Sequence, residues 1–326
     1  MSPTLPPVRT RLTDLLDIEH PVMLAGMGGV SYHELVAAVS EAGGIGTLGA
    51  STMGDALPAE MAAVRQLTDK PFGVDLLTAM PGQVDAGIQA VIDGGGRIFV
   101  AGLGVPRDVI DRLHAANVLV GSMCGKVRHA TGAVASGVDF VVAQGTEAGG
   151  HTGLVATMAL VPQVVDAVGD QVPVVAAGGL FDGRGLAASL ALGADGVWIG
   201  TRFIATPEAQ AVNGYKETLV ALHEDGTVIS RSFTGKTCRV VRNEWTNHYE
   251  QHPDELQPFP QQAFASSQAG VNHLGAPNGT EVDVSTEFMP AGQGAGAITA
   301  LIPAGDLVRQ MVAEAERTID RITSLK

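Results

Sequence analysis

From residue 22 onward, short apolar runs alternate with longer stretches in which apolar residues recur every three or four positions. The runs are 22–26, 45–48, 72–76, 98–101, 118–121, 139–142, 174–177 and 196–199. The stretches of helical period between them are 32–42, 58–67, 83–93, 106–115, 127–135, 158–168 and 185–192. A run this short and this uniformly apolar fits a parallel strand covered on both faces. Eight such steps predict an α/β fold of the (β/α)8 TIM-barrel type, whereas five or six would predict a doubly wound sheet. The fourth and fifth strands decide between the two.

After Arg202 the pattern changes. Few clean strand signals follow, and residues 251–262 are rich in Pro and Gln. Leu307, Val308, Met311, Val312, Ala315, Ile319 and Ile322 then recur at helical spacing, with charges on the other face. Three parts are expected: a barrel over 1–202, a smaller, mainly helical insertion over 203–302, and a C-terminal helix over 303–326 packing on the barrel. Residues 245–290 suit a lid.

Composition supports the barrel. The 326 residues include 42 glycines, with 45% hydrophobic and only 4% aromatic residues, which suits many tight strand–helix turns. The net charge of −14 makes nucleic acid an unsuitable partner. Cys124 and Cys238 are far apart, so neither a disulfide framework nor a metal motif is expected, and a reducing cytoplasm is. No signal-peptide pattern occupies residues 1–10, and no apolar stretch is long enough to span a membrane.

In a barrel the chemistry gathers where the strands end. After the sixth strand the chain reads AQGTEAGGHTG. Gln144 can donate and accept, Gly149 and Gly150 leave room for a flat ring, and His151 can exchange a proton near neutral pH. The plainer alternative is a surface histidine held by Glu147. After the seventh strand, Gly178 and Gly179 let backbone N–H groups approach an anion. After the eighth, Trp198, Ile199, Gly200 and Thr201 offer close approach and a hydroxyl; these glycines also suit tight turns alone. At the first strand end, Ala25, Gly26 and Met27 either line a flat cofactor or form a packed turn. No P-loop, HExxH or GxSxG pattern occurs. Gly102-Leu103-Gly104 lacks a third glycine, and Gly292-Gln293-Gly294-Ala295-Gly296 has no strand before it, so both are weak nucleotide signals.

AQGTEAGGHTG, AAGGLFDGRG and WIGTRF, with PVMLAGM, PFGVDL, SRSFTGKTCRVVRNEW and GQGAG, resemble the nitronate monooxygenase (2-nitropropane dioxygenase-like) family over nearly the whole chain. The resemblance implies an FMN-binding barrel that oxidises alkyl nitronates with O2. It places Gly179, Gly200 and Thr201 on the FMN phosphate, Gln144 and Gly149 on the cofactor, and Ala25 to Met27 under the ring. His151 matches the active-site histidine. Asp75 stands where many members carry Asn; a carboxylate there opposes an anionic reduced flavin unless it is protonated, turned away or matched to another substrate. Similar motifs occur in NAD(P)H-dependent reductases of quinones and of enoyl or steroid-derived CoA thioesters. A flavin-less, phosphate-binding barrel is the non-enzymatic alternative. The expected partner is a small molecule, with the chain a monomer or homodimer.

Overall fold

The computed structural model describes residues 8–76, 81–102 and 104–325. Most of the stretch read for a signal peptide, and Leu103, lie outside the described residues. Eight parallel strands form one sheet: β1 (Val22–Leu24), β2 (Gly46–Gly49), β3 (Phe72–Leu76), β4 (Ile98–Ala101), β5 (Leu119–Cys124), β6 (Phe140–Gln144), β8 (Val174–Ala177) and β9 (Gly196–Ile199). Their order is β1-β9-β8-β6-β5-β4-β3-β2. The ring closes where Leu24 N donates to Ile45 O (2.9 Å) and Ile45 N to Val22 O (3.0 Å). The fold is therefore a (β/α)8 barrel. The decisive fourth strand falls where the apolar run places it, and the fifth runs three residues further, to Cys124.

Each strand is apolar on both faces because both are buried. Met23, Ile98, Val100, Phe140, Val142, Val175 and Trp198 fill the lumen, while Val22, Leu24, Phe99, Val141, Val174 and Val197 pack under the helices. Large and small residues alternate inside. A Cβ at Gly121 would collide with the Phe140 ring, and one at Gly73 with Ile98. Phe140 is fully buried, worth about 3 kcal/mol in transfer free energy. The helix Arg11–Leu16 plugs the far end with Leu12 and Leu16. Arg11 clamps it in place, donating to both carboxylate oxygens of Asp195 (3.1 and 2.8 Å).

Residues 203–302 carry the helices Asn213–Ala221, Glu244–Gln251 and Gln261–Gln268, and two strands that the apolar pattern does not reveal. These are β10 (Thr227–Ser230) and β11 (Cys238–Val241), which pair antiparallel. β11 also pairs with β7 (Gly150–His151), matching Cys238 to His151 and Arg239 to Gly150. The added segment is thus stitched to the loop after β6. Its own small core gathers Phe233, Cys238, Val240, Val271 and Phe288. The helix Ala304–Thr323 buries Leu307, Val308, Met311, Val312 and Ala315 against the helix Gly183–Ala191. Gly183 permits the close crossing, since a Cβ there would meet the Met311 carbonyl.

Candidate active site

The loops after β6, β8 and β9 converge at the barrel mouth, and the turn at Gly292–Gly294 joins them. A Cβ at Gly149 would lie 2.7 Å from the Ala291 carbonyl carbon and Gly292 N; one at Gly294 would lie 2.8 Å from Gly179 O. Gly292 N donates to Thr201 Oγ1 (2.9 Å), and Gln293 N to Glu147 O (2.8 Å). Gly178 (φ 106°) and Gly179 (φ 73°) adopt left-handed backbone that side chains disfavour. The Gly292 turn was a weak signal because no strand precedes it; tertiary packing brings it to the same point as Gly149, Gly179 and Thr201. Four segments thus meet with almost bare backbone, the kind of cradle that suits the phosphate of a flat cofactor.

The neighbouring strand ends hold the other predicted residues. Ser31 Oγ donates to Ala25 O (2.9 Å) and accepts from Met27 N (3.1 Å), which shapes the turn through Gly26. Met27 Sδ and the Ala25 side chain flank Gly200. Trp198 is buried in the lumen, and Ile199 in the outer layer, so Ile199 offers the mouth only its backbone. Gly149 makes room for the Ala291–Gly292 backbone, whereas Gly150 (φ 77°) faces open space. Cys124 also points outward, is fully buried, and has its pKa pushed up to about 11 by burial, which makes it a packing residue and not a nucleophile.

His151 is fixed at three points. Its backbone pairs with Cys238, its carbonyl accepts from Gln144 Nε2 (2.8 Å), and its ring Nε2 lies 3.0 Å from Thr234 Oγ1. His151 is exposed by surface area and lines an open cavity at the mouth. Burial, and then the charge of Lys236, push its pKa below the ordinary histidine value, which favours the neutral imidazole. Glu147 is not its partner. That carboxylate instead accepts from Thr157 N, at the start of the helix Thr157–Val168. Thr234 carried no signal of its own; it lies 83 residues from His151 inside SRSFTGKTCRVVRNEW.

Asp75 is the penultimate residue of β3 and packs against Gly26, where a Cβ would collide with it. Protein surrounds the carboxyl, although part of the residue opens onto the mouth. Burial alone lifts its pKa to about 8, so the acid is mostly protonated at neutral pH. Folding then favours the proton: stability declines as pH rises from the ordinary 3.8 toward about 8. The wild-type melting temperature is expected to fall between pH 5 and pH 9, and that of Asp75→Asn to fall by less than half as much. Equal slopes in thermal melts would show that Asp75 is ionised in the folded protein.

Among the described residues no group of His, Cys, Asp and Glu is placed to hold a metal ion, and no helix is long and apolar enough to cross a membrane. The nitronate monooxygenase family model matches residues 9–90 and 82–314. The chain is 43% identical over 247 residues to (3aS,4S,5R,7aS)-5-hydroxy-7a-methyl-1-oxo-octahydro-1H-indene-4-carboxyl-CoA dehydrogenase of Mycobacterium tuberculosis, covering 74% of this chain and 69% of that one. FabK from Thermotoga maritima superposes with a TM-score of 0.88 at 34% identity, covering 98% of this chain and all of that one. Nitroalkane oxidase from Streptomyces ansochromogenes superposes with a TM-score of 0.83 at 31% identity, covering 95% of this chain and 99% of that one.

Proposed function

This chain belongs to the nitronate monooxygenase family and is a flavin-dependent oxidoreductase; on that premise we propose that it binds FMN and oxidises alkyl nitronates, with O2 as the final acceptor. The observation that carries this reading is an imidazole, fastened by Thr234, beside a glycine-lined cradle. Backbone groups at Gly178, Gly179 and Gly200, with the Thr201 hydroxyl, would hold the phosphate, and Gly292 N fixes that hydroxyl. Ala25, Gly26 and Met27 support the ring, and Gln144 sets the loop through His151 O. Bound FMN supplies the redox chemistry. His151, in its neutral form, donates a hydrogen bond to the nitro oxygens of a nitronate, or takes the α-proton of a neutral nitroalkane. Protonated Asp75 adds no negative charge at this point, which removes the conflict with an anionic reduced flavin. We assign the barrel to residues 1–202, the cover over its mouth to 203–302 and the outer brace to 303–326.

A second reading, reduction of an acyl-CoA thioester with NAD(P)H as the electron donor, is favoured by the 43% identity to a CoA-ester dehydrogenase. Anaerobic mixing separates the two. Under the first reading an alkyl nitronate bleaches the flavin absorbance within seconds and NADH does not; rapid bleaching by NADH alone would replace the first reading with the second.

A further inference from the structure

Beyond His151 the mouth widens into an open cavity of about 450 Å3 lined by His151, Thr152, Arg231, Gly235, Lys236 and Thr237. Its lining holds two full cations and no carboxylate. That is unusual in a chain with 34 acidic residues against 20 Lys and Arg. Among the described residues neither cation makes an ion pair. Both are nevertheless held. Arg231 Nε donates to Gly235 O (2.9 Å), which leaves the outer edge of the guanidinium for another acceptor. Lys236 Nζ sits 4.0 Å above the centre of the Phe259 ring, a contact that orients the ammonium without neutralising it. Two fixed, unpaired cations, three and two chain positions from Thr234, which fastens His151, form a receptor for a multiply charged anion.

The cavity is far larger than a small nitronate needs, and it opens outward from the histidine. We propose that it binds the pyrophosphate of a nucleotide-tailed co-substrate, whose reactive head extends past His151 toward the flavin-ring site at Ala25 to Met27. This rests on the reading of the mouth as a flavin site. Two co-substrates carry that chemistry, a coenzyme A ester and a nicotinamide dinucleotide. Arg231 and Lys236 are assigned to the phosphates, and Thr152 and Thr237 to the remaining oxygens. An anion here meets a local field opposite in sign to that of the whole chain, so its binding depends strongly on salt.

The test is calorimetric titration of the full-length, flavin-loaded protein with inorganic pyrophosphate, coenzyme A, NADH and pantetheine. Pyrophosphate is expected to bind the wild type, and the double variant Arg231→Gln, Lys236→Gln to weaken it at least tenfold with flavin content unchanged. Arg231→Lys, which keeps the charge, should retain most of the affinity. Raising the salt should weaken the wild type more than the double variant. Pantetheine, which lacks the pyrophosphate, should respond to neither change. A tenfold loss for coenzyme A supports the thioester source, and the same loss for NADH the dinucleotide source. No pyrophosphate binding by the wild type, or equal binding by the double variant, overturns the proposal. The titration does not depend on turnover. If the flavin reading itself fails, through a protein that takes up no FMN, pyrophosphate binding to the same preparation still reads the cavity separately.

Discussion

His151→Ala is expected to leave the flavin bound and to lower turnover by roughly 10^2- to 10^4-fold, the range for removing a positioned acid–base group. Two features argue for so large a loss. Burial, as the first cause, favours the neutral imidazole, the form that can take a proton. It is also fixed by a strand pairing, by Gln144 and by Thr234, so the ring is positioned before substrate arrives. The backbone of β7 is held by Cys238 and Arg239 whatever side chain stands at 151, so the cradle should survive the change. Thr234→Val is the companion variant. It keeps the ring but releases Nε2, and should cost about tenfold with a shifted pH profile, while Thr234→Ser restores the wild-type profile. Turnover in His151→Ala within a factor of two of wild type, at equal flavin content, would make the histidine a structural residue.

Gly179→Val is expected to abolish flavin binding. The position has φ 73°, which a β-branched residue resists, and its Cβ would stand 2.9 Å from the Glu147 Cβ. The damage therefore spreads through Glu147, whose carboxylate accepts from Thr157 N and whose carbonyl accepts from Gln293 N. Moving Glu147 pulls on the Gly292 turn and on the start of the next helix together. The purified variant should be colourless, with a flavin-to-protein ratio below about one tenth of wild type. Backbone strain alone is controlled by Gly95→Val: φ there is 67° and nothing lies within 4 Å of the added Cβ. That variant carries similar strain of about 1–2 kcal/mol yet should stay yellow. Full flavin content in Gly179→Val would remove the phosphate from this loop.

The residues of the mouth were legible to unequal degrees. Gly178, Gly179 and Thr201 stand directly after apolar runs, so the strand reading alone sets them at one rim. His151 was visible as an imidazole in a glycine frame, yet its apparent partner by spacing, Glu147, serves a helix start. Asp75 was legible as a departure from the family pattern, but its protonation follows from burial against Gly26, which no local pattern carries. Arg231 and Lys236 lie in SRSFTGKTCRVVRNEW, inside a region whose pattern reads as mainly helical, and nothing in that stretch sets them beside His151. β10 is only partly buried and lacks a continuous apolar run, and β11 carries Arg239 within its four buried residues, so neither reads as an apolar strand.

By itself, then, the sequence determined the barrel, its strand order in time along the chain and the glycine turns that end three of its strands. A parallel strand must be apolar on both faces, and a backbone approaching an anion must shed its side chains; both demands are local and are written in consecutive residues. Only the tertiary structure decided what stands behind the histidine, what meets Gly149 and Gly179, and which cations share the outer cavity. Those contacts join positions up to 143 residues apart, as between Gly149 and Gly292, and depend on the closing of the ring and the pairing of β7 with β11. A periodic pattern reports the face a residue turns toward the core, and carries no information about which distant residue waits there.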